Sequence, residues 1–249
     1  MKNLISGFAG KKLPSAVKLF TVLTLICVIT NIGKSNITGD PVVTDSDLTL
    51  KQALENITVP DSIKKNLTLV DVWYFSFDKR LHKGQLVIRK ELANDIKEIF
   101  NEIENSHYPV NKVIPIVKYN WNDDSSMADN NTSAFNYRVI KGTKVISFHA
   151  KGQAIDINPF LNPQVKRGVV SPAGAVYDAS KPGTIKINSV VYKAFIKRGW
   201  QWGGNWHSLK DYQHFEKADL NNDNINIKGN TTLPFKSSIH KLKKLNSMH

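Results

Sequence analysis

A single cysteine constrains this chain more than any other feature. With only Cys27 available, no intrachain disulfide can close and no multi-cysteine zinc site can be built. The fold must be held by an apolar core, in an exported chain as in any other. The 249 residues suffice for one domain of catalytic size plus tails, and exceed a small disulfide-stapled module. Hydrophobic residues at 41% and charged residues at 22% are globular proportions, which argue against wholesale disorder and against a polytopic membrane protein.

The formal net charge of +13 is unevenly placed. Lys2, Lys11, Lys12, Lys18 and Lys34 all precede the first acid, Asp40, and setting these five aside leaves +8. A basic surface attracts polyanions, either nucleic acid or an anionic cell wall. The remaining lysines are scattered and no aromatic-basic recognition motif accompanies them, so they read as a solvated surface. No nucleic-acid partner is expected.

The N-terminus reads as an export signal. Lys11, Lys12 and Lys18 precede residues 19–33, which carry no charge. That run is short for a membrane span, which needs ~20 residues. It fits the apolar region of a signal peptide, with Gly33 and Ser35 as small residues near a loose cleavage site. Ile26 before Cys27 does not fit a lipoprotein site. An uncleaved anchor is the other reading of residues 1–35. Both put the body outside the cytoplasm, in the periplasm or cell envelope, with membrane contact through this segment alone.

Residues 34–45 are polar and read as a linker, and residues 47–56 can form a short helix. Residues 67–77 are β-branched and aromatic and predict a strand; residues 85–88 predict a shorter one. Over residues 91–104, Leu92, Ile96, Ile99, Phe100 and Ile103 share one helical face. Residues 113–117 predict a strand. Residues 120–136 are polar and turn-rich, too long for a plain connector. Residues 144–148 and 154–157 read as strands broken at Gly152. Asn188 or Ser189 can cap a helix ending at Gly199. Beyond Lys217 periodicity is lost, and a disordered tail is expected. Residues 219–223 mimic the start of a calcium loop but lack its glycine and closing glutamate. The expected organisation is therefore residues 1–35 as signal or anchor, 36–66 as linker and short helix, 67–217 as the functional domain and 218–249 as tail.

Two clusters carry the chemistry: Ser147-Phe-His149-Ala-Lys-Gly152-Gln-Ala154-Ile-Asp156, and Gly203-Gly204-Asn-Trp206-His-Ser-Leu-Lys-Asp211-Tyr-Gln-His214-Phe215-Glu216. A catalytic zinc needs three nitrogen or oxygen ligands and an open position. His149, Asp156 and His214 would supply two imidazoles and a carboxylate. His149 and Asp156 are seven residues apart, so one straight strand would put them on opposite faces. A turn at Gly152 lets them converge. Asp211, three residues before His214, then lies where a general base belongs. Glu216 is the second candidate base, though it reads better as paired with Arg or Lys. Trp202 reads as core packing and Trp206, beside the Gly203-Gly204 turn, as lining the cleft. His82, His107 and His207 read as structural or surface residues.

The order His-x-x-Gly-x-Ala-x-Asp, Trp-Gly-Gly and Asp-x-x-His-Phe resembles the VanY-like metallopeptidases. These comprise D-alanyl-D-alanine carboxypeptidases, D-Ala-D-Ala dipeptidases and phage L-alanyl-D-glutamate endolysins. The resemblance extends to residues 127–138 and to Asn158-Pro159, and so over roughly residues 67–217. It implies an α+β fold, a small central antiparallel sheet flanked by helices with an open zinc cleft, of the kind shared by hedgehog and D-Ala-D-Ala peptidases. It implies one Zn2+ per chain on His149, Asp156 and His214, with Asp211 as the catalytic carboxylate. Several members use Glu there, one methylene longer. It implies that Arg138 binds substrate and stabilises the oxyanion, and that Ser147 and Ser133 contact substrate.

The expected activity is hydrolysis of a D-amino-acid-containing bond in peptidoglycan stem peptides, carboxypeptidase-like or endopeptidase-like, by a monomer. Asp211 would take the proton of the attacking water, without a covalent enzyme intermediate. The alternative is a catalytically silent cell-wall-binding module of the same fold. The presence of both Asp211 and Arg138 favours the enzyme.

Overall fold

The computed structural model describes residues 40–218 except Lys141. The expected signal or anchor, the rejected calcium loop and the expected tail after Ala218 lie outside the described residues. Among the described residues no helix is long and apolar enough to cross a membrane.

The described residues open with a two-residue strand, β1 (Val43–Thr44), which pairs in parallel with a later strand. Part of the expected linker is thus strand, because Val43 and Thr44 find an open sheet edge. Helix α1 (Leu50–Ala53) carries a capping box, Thr49 and Gln52 satisfying each other's backbone N–H groups. A single turn, α2 (Asp61–Lys64), comes next. Ala53, Leu54 and Ile63 pack with Leu67, Val87 and Phe135, so this segment shares a core with the first long strands.

Strands β2 (Leu67–Phe75) and β3 (Leu81–Arg89) form a long antiparallel hairpin. β3 is longer than the expected 85–88, since full pairing with β2 recruits its polar start, Leu81 to Gly84. Val70, Val72 and Tyr74 alternate into the core on β2. Helix α3 (Ala93–Asn105) covers that face with Ile96, Ile99, Phe100 and Ile103, as its periodicity requires. Leu92 belongs to a 3-10 turn just ahead of it.

Next comes β4 (Lys112–Val113). The expected strand 113–117 stops there: Pro115 turns the chain into a 3-10 turn, Ile116–Tyr119. The polar stretch 120–136 holds helix α4 (Asp123–Ala128), capped by the Asn122 side chain, and β5 (Asn131–Thr132), parallel to β4. Residues 144–148 are not a strand. They make one isolated bridge, Ile146 to Val139, and Val145 is 60% exposed, so no sheet partner fixes them.

The remaining strands are β6 (Ala154–Asp156), β7 (Gln164–Lys166), β8 (Val169–Ser171), β9 (Gln201–Trp202), β10 (Lys210–Asp211) and β11 (His214–Glu216). Helix α5 (Val190–Ile196) lies between β8 and β9, capped by Ser189 and followed by Gly199 at φ +78°. The result is α+β, built on small sheets ordered β1-β3-β2, β10-β7-β8 and β6-β11-β9, with the β4-β5 pair. Under β6-β11-β9 sits an aromatic cluster: Phe215 stacks on Phe195 at 4.0 Å, and Trp200 meets Phe195 edge-on at 5.3 Å. Trp202 is buried there, as expected. The centre of this sheet therefore rests on a buried, packed aromatic base.

Candidate metal centre

His149 opens a 3-10 turn, His149–Lys151, that ends at Gly152 with φ +67°. This left-handed residue reverses the chain and feeds β6, where Asp156 is the last residue. A Cβ at Gly152 would lie 2.7 Å from the Arg89 nitrogen and 2.8 Å from a Leu67 methyl. The Gly152 carbonyl accepts from Arg89 N–H at 2.9 Å. The turn is thus docked on the end of the β2-β3 hairpin. β11 brings His214 beside β6, in register with Asp156.

The three side chains converge. His149 Nε2 is 3.2 Å from Asp156 Oδ2, His214 Nδ1 is 3.0 Å from Asp156 Oδ1, and the two nitrogens are 3.1 Å apart. One ligand atom from each lies within 4.8 Å of the others, and all three residues are buried. The outer ring nitrogens are engaged elsewhere. His149 Nδ1 contacts the Ala134 carbonyl, and His214 Nε2 is 3.0 Å from Glu216 Oε2. With N–H groups directed outward, the inward faces offer lone pairs to a shared centre. Three buried electron-pair donors around one point call for a positive centre, and His149, Asp156 and His214 could hold a metal ion.

The electrostatics agree. Burial disfavours the charge of Asp156, but His149 and His214 outweigh it and hold the carboxyl well below its ordinary range. Burial also opposes charge on His214, yet hydrogen bonds to Asp156 and Glu216 push its pKa up to about 10. A proton on His214 is what satisfies the donor set without a metal.

Asp211 is the end residue of β10 and is buried. Its Oδ2 accepts from Gln164 Nε2 at 2.7 Å, while Oδ1 is buried and makes no hydrogen bond. Burial raises its pKa, the nearby Asp156 charge adds to this, and His214 works against it. The close approach of β10 to residues 203–205 needs Gly203, where a Cβ would sit 2.6 Å from the Asp211 carbonyl oxygen.

The other expected site residues are placed differently. Trp206 is half-buried, its ring 5.3 Å from that of His214, beside the centre. Arg138 pairs through Nη2 with Asp123 at 2.8 Å, and its buried Nε makes no hydrogen bond. Ser147 turns its Oγ to the His149 N–H at 3.1 Å, so it braces the ligand turn. Ser133 is buried and exchanges backbone hydrogen bonds with Asp156. Glu216 is paired with His214, not with Arg or Lys, because residues two apart on a strand share a face. His82 is held between Asp45 and Asp78, His107 stacks on Phe75, and His207 is exposed. Asn158 is a structural hub, its amide bonded to Pro109 and Gly183 carbonyls. Gln164 and Asp123 escaped the sequence reading, and neither lies in a motif that would have flagged it.

Residues 141–217 match the family model described as D-alanyl-D-alanine carboxypeptidase. The resemblance to the VanY-like peptidases is shown for that segment, which contains His149, Asp156, Asp211 and His214 and is narrower than the expected 67–217. No curated protein and no solved structure matches the chain.

Proposed function

We propose that this chain is a zinc peptidase that hydrolyses a D-amino-acid-containing bond of peptidoglycan stem peptides. One observation carries the reading: His149 Nε2, Asp156 and His214 Nδ1 converge on one buried point, with Asp211 beside them holding an unpartnered carboxylate oxygen. Zinc, when bound there, supplies Lewis-acid activation of water and polarisation of the scissile carbonyl.

The chain's own groups do the rest. Gln164 holds Asp211 Oδ2 and leaves Oδ1 to accept a proton from the attacking water. As the new C–O bond forms and the C–N bond breaks, that proton passes from Asp211 to the leaving amine. Arg138, tied to Asp123 on one side, has Nε available to the carbonyl oxygen as charge develops on it. Trp206 supplies an aromatic wall beside His214. Ser147 and Ser133 keep the His149 turn and Asp156 in place through hydrogen bonds to the backbone. A silent wall-binding module has no use for a buried carboxylate with a free oxygen, which favours the enzyme.

The cleft would open beside Trp206, and the acting domain would be 67–217, with 43–66 packed against it. The substrate lies in the cell envelope, and the charge-free run 19–33 supports export. The test is digestion of purified muropeptides by the zinc-loaded full chain, with products weighed by mass spectrometry. Loss of a terminal D-alanine marks a carboxypeptidase and cleavage within the stem an endopeptidase. Intact muropeptides over a zinc-loaded, folded chain would sink the proposal.

A further inference from the structure

We infer that Glu216 is the positioning residue of the metal centre. Its carboxylate holds the Nε2–H of His214 and so commits Nδ1 to the cation. The inference rests on the reading of His149, Asp156 and His214 as ligands.

A neutral imidazole has one N–H and one lone pair, and the partner of one nitrogen decides which is which. The two imidazoles here have different outer partners. His149 uses a backbone carbonyl, that of Ala134, on Nδ1, which leaves Nε2 facing Asp156. His214 uses the Glu216 carboxylate on Nε2, at 3.0 Å, which leaves Nδ1 facing Asp156. The centre would therefore be ligated through unlike nitrogens, each selected by an outer acceptor.

Glu216 is well placed for the task. It lies two residues after His214 on β11 and so projects from the same face. β11 is the middle strand of its sheet. Glu216 pairs with Ala154 on one side and Gln201 on the other, so its backbone is fixed from both sides. Its side chain is only 16% exposed, which lessens competition from water. A charged acceptor also makes the ligating nitrogen more basic than a carbonyl would. This geometry occupies Glu216 Oε2 with the outer nitrogen, away from the shared centre, and leaves the base's part to Asp211.

The experiment uses the full chain, stripped of metal with a chelator and titrated with Zn2+ against a chromophoric competitor. Glu216→Ala should weaken zinc binding ~10–100-fold. Glu216→Gln should retain most of the affinity, because its amide oxygen still accepts from Nε2–H. A second measurement needs no variant: 15N shifts of the zinc-loaded wild type should show His214 bound through Nδ1 with Nε2 protonated, and His149 the reverse. Unchanged zinc affinity in a folded Glu216→Ala, or His214 bound through Nε2, overturns the inference while leaving the metal centre standing. A wild-type chain that takes up no zinc overturns the metal centre itself, and this inference with it.

Discussion

Asp156 and His214 face each other as register partners on adjacent antiparallel strands, with Asp156 Oδ1 3.0 Å from His214 Nδ1. The ligand geometry is therefore a property of the β6-β11 ladder. His149 joins it from a turn outside the ladder. Losing any one of the three leaves only two protein ligands, too few to hold zinc tightly. His149→Ala, Asp156→Ala and His214→Ala should each lose most of their zinc on dialysis, whereas the wild type should hold near one equivalent by elemental analysis. Zinc at a hundredfold above its Kd should add about 2.7 kcal/mol to stability, read as a raised Tm. A wild type whose Tm ignores zinc would count against the centre.

Metal uptake should be coupled to proton release. In the metal-free site His214 titrates at about 10, its charge opposed by burial but sustained by Asp156 and Glu216, with Asp211 also near. Ligation through Nδ1 requires that proton to leave. At neutral pH, zinc binding should release about one proton, and zinc affinity should rise about tenfold per pH unit up to the folded pKa. For the metal-free chain the sign is the reverse. A raised histidine pKa contributes stability that is full below the unfolded value of 6.5 and is lost as pH rises through about 10. The depressed Asp156 contributes stability present above its ordinary range and lost as strong acid protonates it. Calorimetry in buffers of different ionisation enthalpy counts the released protons. A count of zero would place the neutral form of His214 in the metal-free site.

The convergence of His149, Asp156 and His214 was legible in the sequence because its parts are local. The seven-residue spacing with Gly152 inside it forces a turn, and Asp211 is fixed to His214 by three residues. The α3 face was legible for the same reason, since one helix carries its own period. Long-range pairing was not. Gln164 reaches Asp211 only because β7 and β10 align Gln164 with Asp211, a register that neither segment states alone. Residues 144–148 look like a strand by composition but lack a ladder to join. Val43–Thr44 looks like linker and pairs with β3, because an open edge there needed covering. Glu216 lay in view with its role open, since its distance from His214 Nε2 is a tertiary fact.

Gly152→Ala tests the turn. A Cβ there meets the Arg89 backbone and a Leu67 methyl at under 3 Å, and φ is +67°. The left-handed conformation costs an alanine about 1–2 kcal/mol. Crowding against backbone adds about 1–3 kcal/mol. The variant should lose about 2–5 kcal/mol in denaturant unfolding. Its zinc affinity should fall too, since relief of the clash shifts His149 away from Asp156. A variant as stable as the wild type would mean that the turn is not docked on the β2-β3 hairpin.

Asp211 separates chemistry from metal binding. It contributes no atom to the ligand cluster, so Asp211→Ala should keep zinc and the fold. Loss of the base should lower kcat ~10²–10⁴-fold. Because Asp211 must be ionised to accept a proton and burial raises its pKa, the acid limb of wild-type activity should lie above the ordinary carboxylate range. Asp211→Glu sets two effects against each other. It supplies the longer carboxylate that the family resemblance implies, but the added methylene must fit where Gln164 already sits 2.7 Å from Oδ2. Partial activity is expected, rising when Gln164→Ala is added to make room. In Asp211 itself, Gln164→Ala should lower kcat more than it raises KM, because it frees the carboxylate to rotate. Arg138→Ala should affect kcat and KM together, since Arg138 would touch both the bound peptide and the developing oxyanion. Muropeptide kinetics, zinc content and Tm, measured on the same preparations, distinguish these cases. Full cleavage by a zinc-loaded Asp211→Ala would remove Asp211 from the chemistry, and loss of zinc from that variant would make it a ligand.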